Sequence, residues 1–535
     1  MSVSPADGAA QGQATRPARA DAVSPGRAAR LGMPALLSRL AGALVALAVL
    51  LPLAAVFWRA GGASALGPAD WAAVRFSLTQ ASLSALLSVA LAVPAARALA
   101  RRQFPGRSLL VTLLGAPFIL PVVVAVFGLL AVFGQNGIAS RALVLLGFEP
   151  LSIYGLHGVV LAHVFFNLPL ATRLILQGWL AIPAERFRLA ATLGLPPGAV
   201  FRLLEVPMLL RAAPGALVVI FVICLSSFAV ALTLGGGPRA TTVELAIYQA
   251  FRFEFDLGRA ALLSVVQLLL AAGAAALAAR LALPPAMGAG LDRVTPRWDA
   301  ARAALRAQDA AWLTLVAAFL LVPLAMIVAR GVPGLFEMPA QVWRAAGYSL
   351  AVALGSTVLT VALALPLASR GGEVLAVSAI AVSPLVLGTG LFLILRPVAS
   401  PGDVALPVTA AVNALMALPF ALRVIRPELE AVRSDYGRLC LSLGLTGRWF
   451  WTRVALPRLR RPLGFAAGLT AALSAGDLGV IALFADPERA TLPLQMYRLM
   501  GAYRMEAAAG AALLLLAMSL ALFWAFDRGG RVART

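Results

Sequence analysis

Two stretches of this sequence, separated by a constant interval, decide how the chain is built. "RLAATLGLPPGAVFRLLEVP" occupies residues 188–207, and "RLCLSLGLTGRWFWTRVALP" occupies residues 438–457. Gly444 lies 250 residues after Gly194, and the two closing prolines are also 250 residues apart. Each stretch is basic and stands between long apolar runs. Such self-similarity indicates an internal repeat.

The repeat extends well beyond these two stretches. "FSLTQASLSALLSVALAVP" (76–94) parallels "YSLAVALGSTVLTVALALP" (348–366) at an offset of 272 residues. "NLPLATR" (167–173) parallels "ALPFALR" (417–423) at an offset of 250. The second copy is therefore shorter by 22 residues, and an external segment near 134–149 accounts for much of the difference.

The composition is that of an integral membrane protein. The chain has 535 residues, 61% of them hydrophobic, and its mean hydropathy is +0.90. A helix needs about 20 mostly apolar residues to cross the hydrocarbon core. Twelve runs qualify, and they are 40–58, 76–96, 108–133, 150–172, 212–234, 260–279, 310–329, 345–369, 374–395, 404–422, 462–485 and 507–526. Uninterrupted runs exclude a β-barrel, whose strands alternate. We predict an all-α polytopic membrane protein with about twelve transmembrane helices, arranged as two parallel six-helix repeats.

The arginines predict the orientation in the membrane. The net charge is +21, and segment 423–461 alone carries nine arginines. Arginines concentrate in loops on the cytoplasmic side of membrane proteins. An even number of spans then places both termini in the cytoplasm. Because the charge is explained by orientation, a nucleic-acid partner is not expected.

Residue types that are missing narrow the chemistry. The chain contains no lysine, so a P-loop and Schiff-base catalysis are excluded. We therefore expect no enzyme activity and no cofactor of its own. The two cysteines do not indicate a disulfide framework, and the two histidines lack the neighbours of a metal site. If ATP drives this protein, another chain hydrolyses it.

The domain organisation follows from these patterns. We predict a disordered cytoplasmic tail over 1–33 and a first six-helix domain over 34–280. A cytoplasmic linker over 281–309 leads to a second six-helix domain over 310–527, and 528–535 form a cytoplasmic tail. Two such halves facing each other form a pathway between them, which is the geometry of a transporter.

The repeated loop has the pattern of a helix, a turn and a second helix. "RFRLAATLG" suits a short helix that ends at Gly194. Pro196 and Pro197 prevent its continuation, and "AVFRLLEVP" suits a second short helix leading into the fifth span at Pro207. Mere anchoring by interfacial arginines would explain one such loop, but two at matched spacing favour a docking element.

These loops resemble the EAA loop of ATP-binding-cassette importer permeases, a coupling helix that sits in a groove of the ATPase subunit. The first loop has Ala-Ala with a glycine three residues later, and both loops have a proline 13 residues after the glycine. Where that family has glutamate this chain has Arg188 and Arg438, while Glu185 and Asp435 lie one helical turn earlier. In coupling loops 184–207 and 428–457, the resemblance implies that ATPase coupling involves Glu185, Arg188, Ala190, Ala191, Gly194, Pro207, Asp435, Arg438, Leu439, Gly444 and Pro457.

A narrower resemblance covers most of residues 40–527. "GLHGVVLAHVFFNLPLATRLILQ" (155–177), "SSFAVALTLGGGPRATTVELAIYQAFRFEFD" (226–256) and "SAGDLGVIALFADPERATLPLQMYRLMGAYR" (474–504) are similar to the fused two-domain permeases of thiamine and thiamine pyrophosphate importers. The resemblance implies alternating access in a bacterial inner membrane. It also implies two partners, a periplasmic thiamine-binding protein and a cytoplasmic ATPase homodimer that binds ATP and Mg. Permeases for ferric iron or phosphonates share this plan and remain alternatives, and a secondary transporter is the alternative from another class.

A few polar and aromatic residues are candidates for the transport pathway. Asp477 is the one acid inside a predicted span, where a charge is costly unless it faces a cavity or a partner such as Arg489. The thiazolium ring of thiamine is cationic, so a carboxylate suits it. The pathway candidates are Asp477, Asn167, His163, Tyr248 and Tyr497, although interhelical hydrogen bonds and aromatic belts are common uses of the last four types. Arg239 and Arg489 are candidates for docking the binding protein.

Overall fold

The computed structural model of the chain describes residues 35–62, 65–115, 117, 119–280, 297, 302–370, 382–484 and 488–531. All regular secondary structure within these ranges is helical. Eleven helical segments there are long and apolar enough to cross a membrane. The prediction of an all-α polytopic protein is confirmed, and the chain is a multi-pass membrane protein.

The helices of the two halves are numbered in chain order. Those of the first half are α1 Ala35–Ala60, α2 Pro68–Arg101, α3 Arg107–Leu113, α4 Val122–Phe133, α5 Ile138–Leu145, α6 Leu156–Leu180, α7 Ala184–Thr192, α8 Val206–Leu225, α9 Ala229–Leu234, α10 Val243–Arg252 and α11 Leu257–Arg280. Those of the second half are α12 Ala303–Gly334, α13 Ala340–Arg370, α14 Pro384–Leu395, α15 Pro401–Ser442, α16 Leu456–Ala475, α17 Gly479–Phe484, α18 Leu492–Gly501 and α19 Met505–Arg531.

Eight of the twelve predicted spans coincide largely with one continuous helix each, namely α1, α2, α6, α11, α12, α13, α15 and α19. The ninth predicted span, 374–395, lies partly outside the described residues, and its described part is α14. The predicted tail 1–33 and most of the linker 281–309 also lie outside them. Helix α12 begins at Ala303, within the predicted linker, and helix α19 continues to Arg531, within the predicted tail 528–535.

The other three predicted spans are each divided between two helices. Span 108–133 breaks between α3 and α4, span 212–234 between α8 and α9, and span 462–485 between α16 and α17. Pro121 precedes α4 and has no N–H to continue a helix. Hydropathy depends only on residue composition. The run of apolar residues continues through each break, so hydropathy cannot detect it.

The two halves share internal details at the repeat offsets. Each has a π-helical turn, Phe201–Glu205 in the first half and Trp451–Ala455 in the second. Ser77 accepts a hydrogen bond from the backbone N–H at the start of α10 (2.9 Å), and Ser349 accepts one at the start of α18 (2.8 Å). Helices α2, α6 and α8 pack together in the first half, as α13, α15 and α16 do in the second.

The first helix of each half also packs against the other half. Helix α1 contacts α13 and α14, and helix α12 contacts α2 and α4. Gly390 of α14 lies directly against the backbone of Pro52 in α1, and Gly128 of α4 lies directly against the backbone of Pro323 in α12. Small residues allow this close approach between membrane helices. The exchange of first helices therefore follows the same repeat as the rest of the fold.

Enlarging these glycines is expected to loosen the exchange. A Cβ atom at Gly128 would lie 2.8 Å from the carbonyl oxygen of Pro323, so Gly128→Leu must push α4 and α12 apart. We expect Gly128→Leu and Gly390→Leu each to lower the free energy of unfolding by about 1–3 kcal/mol, measured as a lower unfolding midpoint in detergent. Gly273→Leu in α11 is the control, because no atom beyond its own helix backbone lies within 4 Å of its Cβ position. An equal drop in all three variants would contradict this explanation.

A buried ion cluster also joins the halves. Asp309 of α12 accepts hydrogen bonds from Arg101 (2.5 and 2.8 Å) and from Arg102 (2.6 Å), both at the end of α2. The side chains of Asp309 and Arg101 are 4% and 2% exposed. Removing either the carboxylate or the guanidinium groups would leave a buried charge without compensation. The cluster therefore holds α2 and α12 together.

Candidate functional site

The first repeated loop contains a helix that ends in a left-handed glycine. Helix α7 follows Pro183, whose extended backbone separates it from α6. Gly194 has a φ of 61°, and its N–H donates to the carbonyl of Ala191 (3.0 Å). The N–H of Leu195 donates to the carbonyl of Ala190 (3.1 Å). This turn at Gly194 satisfies the last carbonyl groups of the helix, as the sequence predicted.

The second repeated loop makes the same turn at the end of a much longer helix. Gly444 has a φ of 68°, and the N–H of Leu445 donates to the carbonyl of Cys440 (2.8 Å). Here α15 runs unbroken into the loop, because Arg433 stands where the first copy has Pro183. In both copies the segment after the turn is not a separate short helix. It continues through the π-helical turn into α8 or α16.

Both loops expose leucines at one helical turn's spacing. Leu189 and Leu193 are 61% and 64% exposed, and their counterparts Leu439 and Leu443 are 55% and 64% exposed. The two loops therefore present matched apolar side chains at their surfaces. The same face carries exposed acidic and basic residues, which are Glu185, Arg188, Asp435 and Arg438.

Ala190 is buried beneath its loop, whereas Ala191 is exposed. Pro207 and Pro457 lie in the first turns of α8 and α16, where proline costs no hydrogen bond. The structure thus places the predicted coupling residues on two equivalent loops, and their contact with an ATPase stays a prediction.

The first loop has an anchor that the second lacks. Glu205 is fully buried in the π-helical turn and accepts hydrogen bonds from Arg97 (2.7 Å) and Arg297 (2.5 Å). The guanidinium of Arg297 also lies 4.5 Å above the ring of Phe187 in α7. Ala455 stands at the position of Glu205 in the second copy. The loops are therefore equivalent in shape and different in how they are fixed.

A cavity of about 390 Å³ lies between the two halves. Its wall includes the helix breaks at 119–122, 226–229 and 476–479 and the start of α14 at 383–385. Non-helical backbone at membrane depth is tolerated where it lines a cavity. The breaks that hydropathy missed are thus the places where each half turns its backbone toward a common space. The remaining wall comes mainly from α15 and α16.

Two carboxylates face this cavity. Asp477 lies in the break between α16 and α17, and its Oδ1 accepts a hydrogen bond from the N–H of Gly479 (3.3 Å), while its Oδ2 is buried without a partner. Glu244 lies in the first turn of α10, is 1% exposed, and has no hydrogen bond to either carboxylate oxygen. Sequence reasoning missed Glu244, because it lies outside every predicted span and an acid in a connecting segment attracts no notice.

The structure places the other pathway candidates away from the cavity wall. His163 and Asn167 are buried in α6, where His163 Nδ1 pairs with Ser84 (3.3 Å) and Asn167 donates to the sulfur of Cys224 (3.4 Å). These groups join α2, α6 and α8. Asn413, the counterpart of His163, bonds Ser474 (3.0 Å) and does line the cavity.

The aromatic and arginine candidates lie outside the cavity wall. The ring of Tyr248 packs edge-on against Phe228, whose side chain lines the cavity, and Tyr497 is partly buried in the core. Arg239 is exposed in a short 3₁₀ turn. Arg489 forms an ion pair with Asp403 (2.5 Å), whereas the sequence analysis considered Asp477 as its partner. The roles of these residues stay predictions.

Two similar helical halves with a shared central cavity and paired exposed loops define a polytopic membrane permease. No protein-family model matches the sequence. It is 42% identical over 489 residues to the thiamine transport system permease protein ThiP of Salmonella typhimurium, covering 87% of this chain and 90% of that protein. The ThiP protein of Escherichia coli is 41% identical over 488 residues, and that of Brucella abortus is 39% identical over 476 residues. The chain belongs to the family of thiamine transport system permease proteins.

Proposed function

We propose that the chain is the permease subunit of an ATP-driven, binding-protein-dependent importer that carries thiamine and its phosphates into the cytoplasm. The observation that carries the coupling role is the pair of equivalent loops, each with two exposed leucines beside a left-handed glycine turn. Two equivalent loops suit an ATPase homodimer, whose subunits each offer one groove. The permease itself contributes no ATP site and needs no cofactor, because ATP and Mg bind the partner.

The cargo is proposed from the relatives. Relatives that are 39–42% identical to this chain over most of its length are thiamine transport permeases by name. This favours thiamine over ferric iron or a phosphonate. A soluble thiamine-binding protein would deliver the cargo to the outer face. Arg239, which is exposed, and Arg489, which pairs with Asp403, are the proposed docking residues.

The proposed orientation places both termini and both repeated loops in the cytoplasm of a bacterial inner membrane, as the arginine distribution favours. Residues 34–280 and 310–527 would then move as the two permease domains. ATP binding draws the ATPase subunits together, the loops transmit this movement, and the halves rock around the central cavity. Glu185, Arg188, Asp435 and Arg438 are proposed to contact the ATPase, and Asp477 to face the cargo.

The test is uptake of radiolabelled thiamine into proteoliposomes that hold the full chain, its ATPase and its binding protein. We expect uptake that needs ATP and stops when the ATPase is left out. ATP-driven uptake of ferric iron or a phosphonate instead of thiamine would keep the architecture and replace the cargo. Thiamine uptake without any ATPase would contradict the coupling role and return a secondary transporter to first place.

A further inference from the structure

We infer that Glu244 and Asp477 together form a binding site for an organic cation in the central cavity, with one carboxylate supplied by each half. The inference rests on the proposed function, under which the cation is the thiazolium ring of thiamine. It assigns a binding site within the permease itself, where the cargo would be held between the two halves.

Three of the four oxygens of the two carboxylates lack a hydrogen bond in the protein, and the fourth, Oδ1 of Asp477, accepts one from the N–H of Gly479. Both oxygens of Glu244 and the Oδ2 of Asp477 are buried without a hydrogen bond. The Ser383 hydroxyl, whose oxygen accepts from the N–H of Leu385, and the Gln267 amide, which donates to the carbonyl of Leu225, lie near Glu244 without a hydrogen bond to either of its oxygens. A buried carboxylate without a partner is costly. These two groups are therefore poor contributors to stability.

The cavity wall shows what the missing partner would be. Among the described residues that line it, Glu244 and Asp477 are the charged ones, and both are acidic. Its volume of about 390 Å³ falls within the range of small-molecule sites, about 300–1,000 Å³. Phe228 and Phe420 also line it, and aromatic faces attract cations. The chemistry and the size both fit an aromatic organic cation.

The two carboxylates do not follow the internal repeat. Ser227 stands 250 residues before Asp477 in the first half, and Pro493 is the second residue of α18 as Glu244 is of α10. Each half therefore contributes one acid from a different place. A site divided in this way is complete only while the halves are together, so their separation would weaken the hold on the cation.

Thermal unfolding separates a ligand site from a structural role. Neutralising an unpartnered buried carboxylate removes a desolvation cost, so Glu244→Gln and Asp477→Asn should unfold at the same or a higher temperature than the wild type without ligand. We expect thiamine to raise the unfolding temperature of the wild-type permease in nanodiscs, and this shift to be lost in either variant. A carboxylate that stabilises the fold would give the opposite result, with lower unfolding temperatures before thiamine is added.

Uptake measures the recognition of charge directly. The probes are thiamine and an analogue in which a neutral thiophene replaces the thiazolium ring, tested with the full transport complex. We expect Glu244→Gln and Asp477→Asn each to lower the preference for thiamine over the neutral analogue about tenfold. Glu254→Gln is the matched control, since Glu254 is an exposed acid on the segment after α10, and its preference should equal that of the wild type.

The other outcomes separate failure of the cation site from failure of the proposed function. An unchanged preference in both variants, with thiamine still carried by the wild type, would overturn the cation site and leave the proposed function intact. If the wild type carries no thiamine, the proposed function itself fails. Equal stabilisation by sodium or magnesium chloride alone would assign the carboxylates to an inorganic ion and would also overturn the inference.

Discussion

Replacing Gly194 and Gly444 together by valine is expected to abolish ATP-driven uptake while the protein stays folded in the membrane. Both glycines have positive φ angles, and the Cβ position at each meets no atom within 4 Å. The substitution therefore strains the backbone without causing a clash. The left-handed conformation costs other residues about 1–2 kcal/mol, and the cost is highest for a β-branched side chain.

This strain acts on docking because the turn fixes the direction of the exposed leucines. A loop that must recover the turn to fit its groove binds about tenfold more weakly for each 1.4 kcal/mol, and two loops together give about a hundredfold. Copurification of the ATPase with the permease measures docking, and thiamine uptake measures coupling. The control is the double Gly→Asn variant, because asparagine enters the left-handed region more readily than other residues. If the asparagine variant loses uptake as fully as the valine variant, the turn is not the cause.

Asp309→Ala is expected to produce the largest loss of stability. The substitution leaves the buried guanidinium of Arg101 and its neighbour Arg102 without their shared carboxylate at the contact between α2 and α12. Breaking a buried ion pair from one side costs about 3–5 kcal/mol. The measurement is the thermal or denaturant unfolding midpoint of the purified permease in detergent.

Two comparisons isolate this cause. Glu430→Ala removes an exposed partner of Arg426 and should cost no more than about 1 kcal/mol. The double variant Asp309→Leu with Arg101→Met replaces the buried pair by apolar side chains, and we expect it to recover much of the loss. Equal midpoints for Asp309→Ala and Glu430→Ala would show that the buried cluster contributes little.

Most of the helical architecture could be predicted from the sequence, and its failures have a common physical cause. Eight spans matched because a long apolar run has one stable form in a bilayer, a continuous helix. The breaks at Pro121, at 226–228 and at 476–478 occur inside apolar runs, and only tertiary packing shows that they face a cavity. The repeat predicted the turns at Gly194 and Gly444, because a glycine retained at a fixed spacing marks a special backbone conformation.

The candidate site was predicted only in part. Asp477 was found because an acid inside a span is rare, and the structure brings it to the cavity. Glu244 was missed because a connecting segment that folds back into the protein looks like an ordinary loop in the sequence. His163 and Asn167 have the right residue types for a pathway, but they face neighbouring helices of their own half. Which face of a helix meets the cavity is decided by packing, which the linear sequence does not record.

Because α1 and α12 each pack against the other half, the boundary between the two sequence repeats does not coincide with the boundary between the two packed halves. The first helix of each half bonds to the other half. The Ser38 hydroxyl of α1 donates to the carbonyl of Pro366 (2.9 Å), and Asp309 of α12 accepts from Arg101. If the chain were cut between the repeats, the two fragments would therefore stay associated through the contacts of α1 and α12. In the proposed rocking movement, each half would therefore move together with the first helix of the other half, so the movements of the two halves would be coupled.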